Sequence, residues 1–455
     1  MEFRPHPYQV DAIRWEISHL YNGLFLPPGL GKTAIILSSF LLLKEHNDVD
    51  TLLVVAPLRV CYMVWPEEIK KWDNFNHLTI GILHGTDKDL VLKQLKDVYV
   101  INPEGLKWLL AKSGFFNGKK IWIVFDESTL FKSYDSQRFK LLKPILPMFK
   151  RRTIMTGTPV PNGLLQLWSQ MYLIDMGKRL GKYITHYRLK YFYQKAYDVY
   201  NYYLMPGADK LIYAAINDVV MHKSANEINL PPLTFNNINV QLDSITYTIY
   251  KEMQEELCVD IGEDDMLYSA NQGVNIGKLK QIANGCVYKE DPYNPGKDRI
   301  ILDLHNEKLN ALKDLVEELN GSPLMVIYEY LHDLDKLQRA FPDAPIIGGG
   351  TNEKELQKII IDWNKGNVPV LLLQPKSGGH GLNLQDGGCH DVCWYSITYD
   401  LELYVQAIKR VYRQGIKNAV IIHHIVAKGT IDDSIINKLN AKDKVQQLLL
   451  EAVEK

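Results

Sequence analysis

Short runs of consecutive apolar residues punctuate the first third of the chain, at 52–56 (LLVVA), 98–101 (VYVI) and 121–125 (IWIVF). Each is short, lacks a polar face and is rich in β-branched residues, so each predicts a buried strand. Helix-compatible stretches lie between them. Fully apolar strands alternating with helices predict a parallel sheet covered on both faces. The pattern returns after about residue 301, with strands expected at 324–328, 370–373, 392–395 and 419–426. Between the two blocks the character changes. From 168 to 218, tyrosines such as Tyr183, Tyr187, Tyr191 and Tyr193 crowd with Arg188, Lys190 and Lys195. No strand periodicity is visible there, which predicts mostly helix. The fold expectation is therefore α/β, two parallel-sheet lobes flanking a helical insertion, with bounds 1–167, 168–300 and 301–455. An acidic loop at 262–265 (GEDD) and a turn-rich boundary at 291–298 (DPYNPGKD) fall inside the insertion, and 433–455 reads as a charged amphipathic helix.

Composition narrows the class. The chain has 455 residues, 46% of them hydrophobic and 23% charged, an ordinary globular balance that excludes disorder. The 52 Lys+Arg against 53 Asp+Glu give a formal charge of −1, so there is no global basic signal for nucleic acid. A local basic groove would be hidden in that sum. Five scattered cysteines point to a reducing compartment rather than a disulfide framework. The longest greasy stretch, 34–43, contains two serines and is too short to span a membrane. The expectation is a soluble, cytoplasmic protein with no membrane partner.

Three motifs carry chemistry. Pro27-Pro28-Gly29-Leu30-Gly31-Lys32-Thr33 follows the apolar run 24–26 and precedes a helical pattern. Its glycines let backbone N–H groups face a phosphate, and the helix start adds a favourable dipole. Lys32 can neutralise terminal phosphates and the Thr33 hydroxyl can bind Mg²⁺. The full phosphate-loop pattern has Gly five residues before Gly31; here that residue is Leu26. The strand at 121–125 runs into Asp126-Glu127, two carboxylates at a strand's C-terminal edge, where nucleotide sites of α/β sheets lie. Asp126 suits the metal and Glu127 suits a general base toward water. Far downstream, Gln406, Arg410 and Arg413 in 403–415 stand at i, i+4 and i+7, which predicts one helical face, with Gly415 just past the helix end. Two arginines presented together suit charge spread over a transferring phosphate.

Together these segments resemble an ATPase of helicase superfamily two, and further segments resemble its Swi/Snf-related branch. Residues 4–13 (RPHPYQVDAI) resemble the adenine-reading segment, with Gln9 in the glutamine position. Residues 54–59 (VVAPLR) with 65–72, and 101–106 (INPEGL), resemble the DNA-contact segments. Residues 155–162 (MTGTPVPN) resemble the coupling segment, and 377–384 (SGGHGLNL) the second lobe's nucleotide- and DNA-facing loop. The resemblance covers about residues 4–433 and is nearest in look to minimal phage and prophage members. It implies two RecA-like lobes with ATP and Mg²⁺ in the cleft. Catalytic roles then fall to Lys32, Asp126, Glu127, Arg410 and Arg413. Nucleotide contacts fall to Gln9, Pro28, Gly29, Leu30, Gly31, Lys32, Thr33, Gln406 and Gly381, and Mg²⁺ to Thr33 and Asp126. DNA, expected to be double-stranded, would meet Arg59, Asn102, Thr158, Ser377 and Asn383. Thr129 departs from the pattern, since many relatives have His in that place, where it couples hydrolysis to DNA.

The implied function is an ATP-dependent motor that moves along or remodels double-stranded DNA. A strand-separating DNA or RNA helicase and an ATP-dependent clamp that recruits a nuclease are the alternatives. The tyrosine-rich insertion reads either as a grip for DNA or a protein partner, or as a subdomain whose tyrosines pack its own core. Cys389-x₃-Cys393 lacks the second pair that a zinc site needs, and His423-His424 reads as structural.

Overall fold

The apolar runs of the first third fold as parallel strands. The computed structural model describes residues 1–223, 231–260, 266–269, 272–290, 299–378, 382, 384–413, 416 and 418–452. Two units divide the chain, one of 1–229 with 442–455 and one of 230–441.

In the first unit the strands are β1 (Tyr21–Phe25), β2 (Thr51–Val55), β3 (Ile80–Ile82), β4 (Val98–Ile101), β5 (Ile121–Asp126) and β6 (Arg151–Thr156). Next come an antiparallel hairpin of β7 (Phe192–Lys195) and β8 (Asp198–Leu204), and then β9 (Val220–His222). The sheet has seven strands in the order β3-β4-β2-β5-β6-β1-β9, all pairs parallel. Side chains alternate across it with period two. Leu53, Val55, Tyr99, Ile101, Ile123 and Phe125 face one buried cluster; Leu52, Val54, Val98, Val100, Trp122 and Val124 face another. Both faces are covered, which is why these strands carry no polar alternation.

The second unit repeats the scheme. β10 (Leu233–Val240) is followed by two small antiparallel pairs, β11 (Cys258–Asp260) with β12 (Met266–Tyr268) and β13 (Cys286–Glu290) with β14 (Arg299–Asp303). Then come β15 (Leu324–Ile327), β16 (Ile346–Ile347), β17 (Val370–Leu373), β18 (Asp391–Trp394) and β19 (Val420–Ala427). Six of these strands form a parallel sheet in the order β10-β19-β18-β15-β17-β16. Buried Lys308 is matched at 2.6 Å by Asp432 and at 2.8 Å by the Asn284 amide oxygen, so its charge is satisfied. The Asn284 amide nitrogen lies 3.3 Å from Asp333, which ties four helices together.

The expected single helical insertion at 168–300 is corrected. β9 belongs to the first sheet and β10 to the second, pairing with β19 over eight residues. The division falls at 229/230, inside the stretch. β9 is only three residues long, and β10 is a mostly exposed edge strand carrying Asn236, Asn237 and Asn239, so neither shows an apolar run. The β7–β8 hairpin also replaces part of the expected helix. The acidic loop 262–265 and the turn 291–298 lie outside the described residues. No helix among the described residues is long and apolar enough to cross a membrane.

Glu16 sits at the opposite edge of the first sheet from the strands' C-terminal ends. It is fully buried, and its carboxylate accepts from Asn22 at 2.9 Å and Thr153 at 3.0 Å. Burial pushes its carboxyl from 4.5 to about 7, against the pull of those bonds and of Arg151. The folded chain therefore keeps a proton that the unfolded chain has released. Its stabilising contribution is intact below 4.5 and is lost as pH rises through about 7. Glu16→Gln, which does not titrate, should gain in melting temperature relative to wild type between pH 6 and 8. A difference that stays constant from pH 5 to 8.5 would remove this assignment.

Candidate functional site

Parallel pairing places three loops side by side. Register sets Phe25 opposite Thr156 and Met155 opposite Asp126, so the segments after β1, β5 and β6 leave one edge of the first sheet together. After β1 the backbone turns through Gly29 at φ +93° and Gly31 at φ +72°, left-handed values that favour glycine. Gly31 directly precedes the helix Lys32–Glu45, whose first N–H groups have no partner within the helix. Lys32 folds back on the loop, donating to the Leu26 carbonyl at 2.7 Å. Thr33 lies in the first helical turn.

Gln9 is buried, and both ends of its amide are engaged. Its nitrogen donates to the Leu30 carbonyl at 3.2 Å and its oxygen accepts from the His6 N–H at 2.9 Å. A Cβ on Gly31 would collide with that amide. The expected base reader thus also braces the phosphate-loop segment.

Asp126 and Glu127 close β5 beside it. Burial pushes both carboxyls above the usual range, and the Lys32 ammonium pulls both back. Asp126 accepts the indole N–H of fully buried Trp65 at 3.0 Å. Trp65 falls in a segment resembling a DNA-contact motif, and nothing in its spacing points to Asp126. Glu127 stands at φ +69°, unusual for a side-chain-bearing residue and costing about 1–3 kcal/mol. Its oxygen accepts two hydroxyls, from Thr156 at 2.6 Å and Thr129 at 3.0 Å. The Thr158 N–H donates in turn to Thr156 at 3.0 Å. A parallel link runs from Ser128 to Gln170 at 2.7 Å and on to the Pro159 carbonyl at 2.6 Å. The coupling-type segment is therefore wired directly to the carboxylate loop.

Of the DNA-contact candidates, Arg59, Asn102 and Thr158 follow the C-terminal ends of β2, β4 and β6 in the first sheet. Arg59 is half-buried, with burial lowering its pKa. Asn102 is 8% exposed and donates to Glu104 at 2.8 Å; Thr158 is 2% exposed. Neither offers its side chain to a surface ligand in this conformation. Asn383 and Gly381 lie outside the described residues, as does the side chain of Ser377.

In the second unit the helix ends earlier than its spacing predicts. It spans Leu401–Ile408, so Gln406 is helical and buried, while Arg410 and Arg413 lie in the turn that follows. The expected single face of Gln406, Arg410 and Arg413 is thereby corrected. Hydrogen bonding there becomes mixed: Arg410 N–H to Ala407 and Val411 N–H to Ile408 are three-residue steps, both 3.1 Å, while Tyr412 N–H still reaches Ile408 at 2.9 Å over four. Gly415 lies outside the described residues. Arg410 donates to the Leu382 carbonyl at 3.4 Å, and its own carbonyl accepts from the Leu384 N–H at 3.2 Å. The arginine segment and the 377–384 segment therefore meet. Elsewhere, burial pushes the Cys389 thiol up to about 12, away from thiolate, and both Cys389 and Cys393 are core residues. His423 bonds Asp391 at 2.8 Å and His424 bonds Tyr404 at 2.8 Å, a structural use of both imidazoles.

A family model described as the SNF2-related domain matches residues 8–288, and the helicase conserved C-terminal domain matches 307–415. This chain belongs to the SNF2-related, helicase-like ATPase family. The chain is 33% identical to protein p41 of the Acyrthosiphon pisum secondary endosymbiont phage 1, over 100% of this chain and 99% of the relative. It is 24% identical to the ISWI chromatin-remodeling complex ATPase ISW1 of Saccharomyces cerevisiae, over 98% of this chain but only 40% of that longer protein. The solved Sulfolobus solfataricus SWI2/SNF2 ATPase core in complex with dsDNA aligns with 99% of this chain and 94% of its own, at 23% identity and a TM-score of 0.45.

Gly157 tests how tightly the segments are fitted in this SNF2-related chain. A Cβ there would meet Pro28 Cδ at 2.6 Å and the Leu26 carbonyl at 3.3 Å. Gly157→Ala should displace the 26–31 segment and weaken nucleotide binding at least tenfold, read by titration with a fluorescent ATP analogue. Wild-type affinity in the variant would show that the two segments move independently.

Proposed function

We propose that this chain is a DNA-dependent ATPase that moves along or remodels double-stranded DNA. The observation that carries the reading is the single sheet edge where Lys32, Asp126, Glu127 and the 156–158 segment converge. Its residues fit a nucleotide with Mg²⁺: open backbone at a helix start, one ammonium, one hydroxyl, and carboxyls whose burial a bound cation would relieve. Thr33 and Asp126 would hold the ion, which when bound supplies positive charge at the terminal phosphates. Lys32 neutralises those phosphates after leaving the Leu26 carbonyl. Glu127 accepts the proton of the attacking water as ATP is converted to ADP and phosphate. Arg410 and Arg413 belong to the other unit, and the reading requires turnover to depend on them. Membership of the SNF2-related family and the chromatin-remodeling name of ISW1 support DNA as the track. Contacts should be mainly to phosphate and carry little sequence preference.

ATP turnover should rise with duplex DNA more than with single-stranded DNA or RNA. Stimulation mainly by single strands or RNA would favour the strand-separating helicase, and a displaced triplex without displaced strands would favour the translocase. Lys32→Ala should abolish turnover, and near-normal hydrolysis would sink the assignment. Arg413→Ala should spare nucleotide binding and cost turnover roughly 10³-fold.

Trp65 enters the same scheme as a positioning residue for Asp126. Trp65→Phe keeps most of the buried ring and removes the N–H bond. Loss of one such bond to a carboxylate, about 1.4 kcal/mol, corresponds to about tenfold. The expected result is an Mg²⁺ requirement about tenfold higher at unchanged melting temperature. An unchanged Mg²⁺ profile would leave Trp65 with packing alone.

A further inference from the structure

The tyrosine-rich stretch resolves into two populations. Tyr187, Tyr191 and Tyr213 are buried in the first unit's core. The β7–β8 hairpin carries the others outward. Its turn is Ala196-Tyr197, with Tyr197 84% exposed and Tyr200 91% exposed. Its base is fixed: Phe192 is buried, the Met205 N–H extends the ladder to the Tyr191 carbonyl at 2.9 Å, and Tyr202 and Leu204 pack on the core. Within β8 Tyr203 donates to Asp198 at 2.6 Å, and across the hairpin the Lys195 ammonium of β7 lies 4.3 Å from the Tyr203 ring centre.

Charge is strongly one-sided here. From 176 to 197 the chain carries Lys178, Arg179, Lys182, Arg188, Lys190 and Lys195 and no Asp or Glu, so six positive charges stand in a chain whose sum is −1. Arg179 is consumed by Asp175 and Asp218, and Asp198 is taken by Tyr203. Lys178, Lys182 and Lys190 are exposed. Protein-binding patches are depleted in lysine, whereas lysines around exposed aromatic faces match a nucleic-acid strand. In an intact duplex the base faces are covered, so flat rings at a hairpin tip find their partners only on unpaired bases.

We propose that the β7–β8 hairpin binds an unpaired nucleic-acid strand, with bases stacking on Tyr197 and Tyr200 and phosphates facing Lys190 and Lys195. The proposal rests on the reading that this protein works on DNA, and it adds recognition of single-strand/double-strand junctions to it. The test is fluorescence anisotropy of the full chain, without nucleotide, on a blunt duplex and on the same duplex bearing a single-stranded tail. Wild type should prefer the tailed duplex by tenfold or more, as two stacked bases would give. Tyr197→Ser with Tyr200→Ser should lose that preference, and Tyr197→Phe with Tyr200→Phe should keep it. Equal binding of both probes by wild type, or a preference that survives the serine pair, overturns the proposal. So does an equal loss on both probes in the serine pair. Hydrolysis by wild type with the blunt duplex is read separately, so a failed motor assignment and a failed hairpin assignment give different results.

Discussion

The parallel pairing of β1, β6 and β5 is the constraint on which the candidate site depends. Phe25 faces Thr156 and Asp126 faces Met155 across the ladder. Three chain segments distant in sequence must therefore exit side by side, each one strand spacing, about 4.8 Å, from the next, with the segment after β6 in the middle. Once the register is set, the glycine turn, the carboxylate pair and the 156–158 segment have no freedom to separate. A shift of one residue would turn the alternating faces of these strands inside out, and both faces are buried. Core packing thus fixes the geometry at the edge.

Within that edge Glu127 is held more firmly than its neighbours. A backbone in the left-handed region is tolerated only where the surroundings over-determine it. Two hydroxyls on one carboxylate oxygen supply that determination, and one of them, Thr156, also accepts the Thr158 N–H. Hydroxyl chains of this kind polarise along their length. Any rearrangement at 156–158 is felt at the carboxylate without a longer relay. Thr129 contributes from the carboxylate's own loop. Part of the hold on Glu127 is therefore local to its loop, and the rest comes from the 156–158 segment.

What could be read from the sequence follows from which signals are local. Buried strands with both faces apolar were visible to within a residue, as at 370–373 and 98–101, because their composition alone marks them. The glycine turn and the Asp126-Glu127 strand end were visible because their chemistry is contiguous. The unit division was not, because β9 is three residues long and β10 wears asparagines on an exposed edge. The spacing of Gln406, Arg410 and Arg413 fits a helical face, but the helix stops at Ile408, beyond which three- and four-residue hydrogen bonds mix in a turn. Trp65 and Asp126 lie 61 residues apart, and their bond exists only because the helix that Trp65 opens follows β2, the strand paired with β5.

The hairpin poses the reverse problem, a local element that the surrounding pattern concealed. An isolated two-stranded ribbon is marginal in water, so this one owes its place to its root, where Tyr191, Phe192 and Leu204 join a large buried cluster. Nothing in that root requires aromatic residues at the far end. Serine or lysine at 197 and 200 would keep the ladder and spare the exposure of two large rings. Tyrosine there stabilises no core: both rings are largely in solvent, with the Lys195 ammonium 5.6 Å from the Tyr197 ring centre. The physical content of those side chains is therefore to be found in what they meet outside the fold, and a polyanion with exposed base faces satisfies both the rings and the charge.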